Sequence, residues 1–351
     1  MCYCTGAVAA AGTRAQASFP ERRLIFRLAL SGGLVAVLLW RINIGEALET
    51  FTEVNYAFVV PALFLHTASK AVASVRWRLM LSRVGRPPLR VLFGTMLIAN
   101  MTNNVLPLRV GDILRVQVPA QRFGLPRAGL TSTVFITESL VDGVTFVLLA
   151  LIGFSLLEVP QPLTNLFWAL FGAVAAGLVL GLLGAHITLP PGWDQRRWSR
   201  PLPARFRRIL DTLWPPFVEG MAALRSPFLG GQVLGFSLIA WLLEAASFWL
   251  FGLAFELDLQ FSSFFLIMIA ANMTVSIPVA PAGIGPWELA TAEVVAVLGV
   301  ARPVAGAYAI GTHLFNIMWV GFVGMLAMWA LRLGLRDVLY LRSSANPPDE
   351  V

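Results

Sequence analysis

Several apolar runs in this chain are long enough to cross a lipid bilayer, and that decides its class before any motif is considered. A spanning helix needs about 20 consecutive, mostly apolar residues. Residues 24–40, 54–75, 128–157, 163–189, 228–255 and 304–330 reach or approach that length. Charged residues make up only 13% of the chain and apolar ones 57%, against about 25% charged in a soluble domain. Backbone groups inside hydrocarbon must be satisfied internally, so the expectation is an all-α polytopic membrane protein. It would have about six full spans and two broken-helix segments.

The formal charge is +7, and Lys70 is the one lysine. In a membrane protein such an arginine excess marks cytoplasmic loops rather than a nucleic-acid footprint. One set of loops holds Arg22, Arg23, Arg78, Arg83, Arg86, Arg90, Arg122 and Arg127, and the Pro- and Arg-rich loop 190–227. The opposite loops hold Glu46, Glu49, Glu53, Glu158, Glu256 and Asp258. This predicts an inner (plasma) membrane protein with both termini cytoplasmic. Residues 1–20 read as a disordered tail and 336–351 as a polar tail, flanking one transmembrane domain over 21–335. Segment 91–127 must then enter and leave on the cytoplasmic side, and 261–303 on the outer side. Each is a hairpin, either a re-entrant pair or two short spans.

The two hairpins resemble each other. Ala99-Asn100-Met101-Thr102 recurs as Ala271-Asn272-Met273-Thr274. At the same offset Phe93 falls on Phe265, Met96 on Met268, Gly111 on Gly283 and Trp77 on Trp249. Each hairpin follows two spans and precedes one. The chain therefore reads as two repeats of opposite orientation, about 21–157 and 163–335. Inverted repeats with broken helices are a recurring transporter plan, and the breaks point to the binding site.

Ionisable groups at membrane depth are functional candidates by default. The first hairpin supplies Asn104, Arg109, Asp112 and Arg115, with Pro107 and Gly111 as helix breakers. Asp112 and Arg115 share a face if helical. The next span carries Glu138 and Asp142 at i,i+4, again one face, and the nearest cations in sequence are Arg109 and Arg115. A guanidinium fork suits phosphate or carboxylate. The second hairpin breaks at Pro281, Gly283 and Gly285, and Pro286 suits the first turn of a new helix. Glu288 then sits near the positive end of that helix. Glu244, Glu293, His313 and Asn316 are further polar groups at membrane depth. The bland alternative is that these charges only neutralise one another. Cys2 and Cys4 have no metal partners nearby, and His66, His186 and His313 are scattered, so neither a metal nor another cofactor is expected.

The residues Asn104, Pro107, Arg109, Gly111, Asp112, Arg115, Glu138 and Asp142, with Pro281, Gly283, Gly285 and Glu288, carry a resemblance to a known family. It is the flippase-like integral membrane family named after the transmembrane region of lysylphosphatidylglycerol synthase, and the likeness covers roughly residues 20–335. The resemblance implies a lipid-handling protein that moves aminoacylated or glycosylated lipids between leaflets. Ser139 departs from the family, which often has arginine after the glutamate. The soluble aminoacyl-transfer domain of the full synthases has no counterpart in these 351 residues, so synthase activity is not carried over.

The leading expectation is a lipid flippase, not an enzyme, whose substrate is an amphipathic phospholipid or glycolipid. Arg109 and Arg115 would meet its anionic part, and the carboxylates would balance charge. One alternative is a membrane-embedded transferase using Glu46, Glu49 and Glu53, which otherwise read as a solvated acidic loop. Another is an accessory subunit whose loop 190–227 docks a separate lipid-modifying enzyme.

Overall fold

A computed structural model describes residues 49–106, 109–157, 226–275 and 281–333, with scattered positions between 161 and 218. The expected span 24–40, the two tails and Pro107 lie outside the described residues, and 163–189 and the loop 190–227 fall largely outside them. Among the described residues the regular structure is helical and no strand occurs.

The first half contains α1 (Tyr56–Met80), α2 (Leu89–Val105), α3 (Val110–Phe123) and α4 (Arg127–Leu156). The second contains α5 (Pro227–Ala254), α6 (Ser263–Val275), α7 (Pro286–Val297) and α8 (Arg302–Leu331). Among the described residues, four helical runs are long and apolar enough to cross a membrane. They are Tyr56–Arg83 and Pro227–Ala254, each of 28 residues, and Arg127–Leu156 and Arg302–Leu331, each of 30. The hairpin arms α2, α3, α6 and α7 have 17, 14, 13 and 12 residues, short of the roughly 20 a straight crossing requires.

Local chemistry explains where the helices start and stop. Asn55 caps α1 by accepting from Ala57 N at 3.1 Å, and Ser226 caps α5 directly before Pro227; both are favoured N-cap types. Gly124 closes α3 in the left-handed region (φ 64°), a conformation glycine adopts without a Cβ penalty. Pro126 then precedes α4.

Helices α1 and α5 run antiparallel in close contact. Ser247 Oγ donates to Ala62 O at 2.7 Å near one end, Ser69 Oγ donates to Glu244 at 2.6 Å in the middle, and Arg76 donates to Ser237 Oγ at 2.6 Å near the other. Helix α8 packs on α2, α4 packs on α6, and the turn 281–283 packs on α2. One hydrophobic cluster gathers around the buried Trp77, Leu92 and Met96 beside the first hairpin. A larger one joins Phe251, Phe264, Met268, Trp287 and Tyr308 beside the second.

The two arms of the first hairpin meet at a glycine. A Cβ added to Gly111 would lie 2.0 Å from Ala99 O, and backbone cannot yield as a side-chain tip can. Gly111→Ala should therefore lower the thermal unfolding midpoint in detergent, overpacking of this kind costing about 1–3 kcal/mol. Gly231→Ala, on an open face of α5 with nothing within 4 Å, should hold or raise it. Equal midpoints for the two variants would contradict this account of the close approach.

Candidate functional site

The break between α2 and α3 is held together by one side chain. Asn103 Oδ1 accepts from Gly111 N at 2.7 Å, and its Nδ2 donates to Asp112 Oδ1 at 3.3 Å. Between them Arg109 sits in the left-handed region (φ 52°, ψ 44°), which is uncommon outside glycine and clusters at functional sites. That conformation sends its guanidinium to two carboxylates, with Nε 2.9 Å from Asp112 and Nη2 2.9 Å from Glu138. Arg115 donates to the other oxygen of Glu138 and lies over the ring of Trp77, 5.1 Å from its centroid. Glu138 is thus clamped by two guanidinium groups. The i,i+3 face that Asp112 offers is used by Arg109, while Arg115 turns to Glu138.

Glu138 and Asp142 were expected on one helical face. Both reach the same cavity, but a π-helical stretch, Thr137–Val141, separates them and they take different partners. Asp142 binds Arg76 through both carboxylate oxygens, the Nη2–Oδ2 distance being 3.2 Å. It also accepts from Ser237 Oγ at 3.0 Å and from Trp241 Nε1 at 2.7 Å. Asp142 and Arg76 are 6% and 4% exposed, so this charge pair is buried, with the carboxylate held by Arg76, Ser237 and Trp241. The expectation that Arg109 and Arg115 serve both carboxylates holds for Glu138 and fails for Asp142.

Two further carboxylates carry histidines. Glu244 on α5 accepts from Ser69 at 2.6 Å and Lys70 at 3.1 Å, and its other oxygen lies 2.8 Å from His66 Nδ1. Glu288 accepts from Gly285 N at 2.7 Å. Its other oxygen is 2.7 Å from His313 Nδ1, and the His313 ring stacks on Trp287 with centroids 4.2 Å apart. This is the helix start expected at Pro286, with Gly283 (φ 76°) and Gly285 (φ 99°) making the preceding turn. Ala282 shares that turn in the left-handed region (φ 53°) next to Pro281.

These groups surround a cavity of about 580 Å³. Asn104, Arg109, Arg115, Glu138 and Asp142 line it, as do Lys70, Arg76 and Glu244. The second hairpin contributes Asn272, Ala282 and Trp287 to its wall, and α8 contributes His313 and Asn316. Asp112 stands behind Arg109, and Glu288 behind His313 and Trp287, rather than on the wall. Glu293 pairs instead with Arg302 at 2.9 Å. Glu49 and Glu53 are exposed away from the cavity, and Glu46 lies outside the described residues. Among the described residues no group of three or more His, Cys, Asp or Glu is arranged to hold a metal ion. The sequence reading missed Arg76, Lys70, His66, Ser237 and Trp241; the membrane-depth rule, applied to every ionisable residue inside an apolar run, would have found Lys70 and His66.

A family model described as the lysylphosphatidylglycerol synthase TM region matches residues 24–324. The chain belongs to that family. Both broken helices and all four long spans of the described fold begin inside the matched region. The chain is also similar to a UPF0104 membrane protein of Methanothermobacter thermautotrophicus, 23% identical over 314 residues, or 83% of this chain and 88% of that protein. Together with the apolar spans, this membership makes the chain an integral, multi-pass membrane protein of the lysylphosphatidylglycerol synthase transmembrane-region family.

The Arg76–Asp142 pair gives a direct test of the described geometry. Removing one partner of a buried pair strands the other, at about 3–5 kcal/mol. Arg76→Met and Asp142→Leu should each lower the thermal midpoint strongly, while the double variant should lose clearly less than the two losses combined. Additive losses would show that the two side chains do not interact.

Proposed function

We propose that this chain is a lipid transporter of the flippase type, carrying an amphipathic, phosphate-bearing lipid between leaflets. The observation that carries the reading is that broken helices from both halves of the chain line one charged cavity. Non-helical backbone at membrane depth is tolerated where it is buried in protein or lines a polar space. Here that space is walled by Arg109 and Arg115 on one side and by Ala282 and Trp287 on the other.

The two halves are read as inverted repeats. Their helices follow the same order, their long spans have matching lengths of 28 and 30 residues, and α1 crosses its counterpart α5 in antiparallel fashion. Each half also lends its last span to the other half's hairpin, α8 to α2 and α4 to α6. Such an arrangement lets one repeat rock against the other about the cavity, opening it to each leaflet in turn.

Arg109 and Arg115 share Glu138. A phosphate suits the same forks, so its arrival would displace Glu138 and loosen the tie between the hairpin and α4. Substrate binding and hairpin movement are coupled in this scheme through one carboxylate. Because the hairpin belongs to the first repeat, a released Glu138 would free that repeat to move. The chemistry is binding and release with no bond made or broken, so the chain acts as a transporter rather than an enzyme.

Two experiments test these readings. In proteoliposomes carrying a labelled phospholipid, Arg109→Ala should slow headgroup exchange between leaflets at least tenfold while remaining folded; an unchanged rate would remove Arg109 from the mechanism. For sidedness, we propose an inner-membrane location with the arginine-bearing loops cytoplasmic. In a cysteine-free background, Arg86→Cys should react with an impermeant maleimide only in inside-out vesicles, and Asp258→Cys only in right-side-out ones. Both positions are exposed in the fold, so the reverse pattern would invert the topology.

A further inference from the structure

Two histidines, His66 and His313, stand on the cavity wall, and each sets Nδ1 against a buried carboxylate. His66 lies 2.8 Å from Glu244 Oε1, and His313 lies 2.7 Å from Glu288 Oε1. The two carboxylates are answered differently. Glu244 already holds a permanent cation, Lys70 at 3.1 Å, and a hydroxyl, Ser69 at 2.6 Å. Among the described residues Glu288 has His313 as its one side-chain partner. A buried carboxylate without a counter-charge is costly, so the proton on His313 serves Glu288. His66 adds to a pair that is complete without it, and its proton is free to come and go. Imidazole is the side chain whose charge changes between about pH 5 and pH 8.

The balance of charge around the cavity points to the same residue. Lys70, Arg76, Arg109 and Arg115 supply four positive charges. Glu138, Asp142 and Glu244 on the wall, with Asp112 and Glu288 behind it, supply five negative ones. A charged His313 makes the two sides equal, and His66 is the titratable group left over. An anionic headgroup then enters a neutral site, where the Nε–H groups of Arg76 and Arg115 are buried donors without a hydrogen-bond partner. It brings negative charge into a space poor in water, and a proton on His66 offsets it. An ionised Glu244 only accepts, so the Nδ1–H of His66 donates to it and Nε2 is the atom that takes the proton. The His66 side chain is 13% exposed against 5% for Glu244, so the imidazole is the more open of the two to a proton. The charged groups that share the cavity with it are Lys70 and Arg76 on its own helix, Glu244 on α5, Glu138 and Asp142 on α4, and His313 on α8. Helix α2 brings the neutral Asn100, Asn103 and Asn104.

We propose that His66 is the proton-coupling site of this cavity, taking up a proton from water at Nε2 when an anionic headgroup enters and releasing it when the headgroup leaves. This rests on the cavity being the lipid site, and adds the ion that accompanies the lipid. The position suits coupling. His66 belongs to the first half and Glu244 to the second, and they meet along the contact between α1 and α5. Protonation tightens that tie between the halves while the headgroup loosens the tie between Glu138 and the first hairpin. Because the two binding events share one cavity, each raises the affinity for the other by the same factor.

The test is calorimetric titration of the purified full chain with dioctanoyl phosphatidylethanol, a phosphodiester whose single negative charge is constant over the range used. Binding should weaken about fivefold or more between about pH 6 and about pH 8. Heats measured in buffers of different ionisation enthalpy should show uptake of about half a proton per lipid near pH 7. His66→Asn keeps a donor to Glu244 where Nδ1 stood and cannot be protonated, so it should bind equally at both pH values and take up no proton. His66→Gln is the second variant, used if His66→Asn does not remain monodisperse, and proton uptake by the unaltered chain is read without any variant. Binding without proton uptake, or uptake that persists in the folded His66 variants, would overturn the inference. Exchange of the same lipid, labelled and followed in proteoliposomes, separates the two claims. Binding with proton uptake but no exchange removes the transport reading alone, and exchange without proton uptake removes the coupling site alone. Absence of binding at every pH overturns both.

Discussion

The fold depends on keeping charge paired where water is scarce. A lone guanidinium or carboxylate at membrane depth costs several kcal/mol even after relaxation, and this chain buries several. Arg76 with Asp142 and Lys70 with Glu244 tie α1 to α4 and α5, and Arg109 and Arg115 with Glu138 tie the first hairpin to α4. Each tie crosses between helices, so the pairs fix helix positions that apolar packing alone would leave free to slide. Lipid tails compete with apolar side chains on nearly equal terms, and directional polar contacts therefore carry more of the specificity than they would in a soluble core.

The same scarcity of water explains the form of the breaks. At the first hairpin Asn103 supplies the acceptor that Gly111 N would lack, and Asp112 is held by both Asn103 and Arg109. At the second, Glu288 folds back on Gly285 N and is itself anchored by His313. The two solutions differ in side chain and agree in logic. In each case a polar residue accepts from a backbone amide at the start of the next helix, and a second polar residue holds that acceptor or its neighbour. The π-helical stretch Thr137–Val141 serves a related purpose. It offsets Glu138 from Asp142 so that one meets the hairpin and the other meets α1 and α5, and such insertions recur at functional positions in helices.

Much of this was legible in the sequence, because span length, helix breakers and depth are local properties. The long runs, both breaks and the place of Glu288 in the first turn after Pro286 follow from residue type and spacing, and Asn104, Arg109, Arg115, Glu138 and Asp142, singled out as polar groups at membrane depth, line one cavity. What was not legible is which helix answers which. Arg76 lies close to Arg78 and Arg83 at the end of an apolar run and reads as loop charge, yet it is buried against Asp142. Glu244 stood without a partner until α1 and α5 were seen to run antiparallel, bringing His66, Ser69 and Lys70 to it. Nor does a heptad or i,i+4 rule anticipate a π-helical insertion, so the separation of Glu138 from Asp142 had no signal in spacing.

On the proposed inverted-repeat reading the halves would share helix order and not charge, and that asymmetry has a mechanical consequence. Two breaks of similar construction provide two movable elements, which any symmetrical rocking scheme needs. Yet only the first hairpin carries guanidinium groups, and only its partner span α4 carries the carboxylate that clamps them. The second hairpin is set by proline, glycine and a carboxylate held within its own half. A charged ligand entering the cavity therefore competes with contacts on one side alone. It would loosen the first hairpin and leave the second seated on α2 through the turn 281–283. Under the proposed rocking scheme the two halves would then respond unequally to the same ligand.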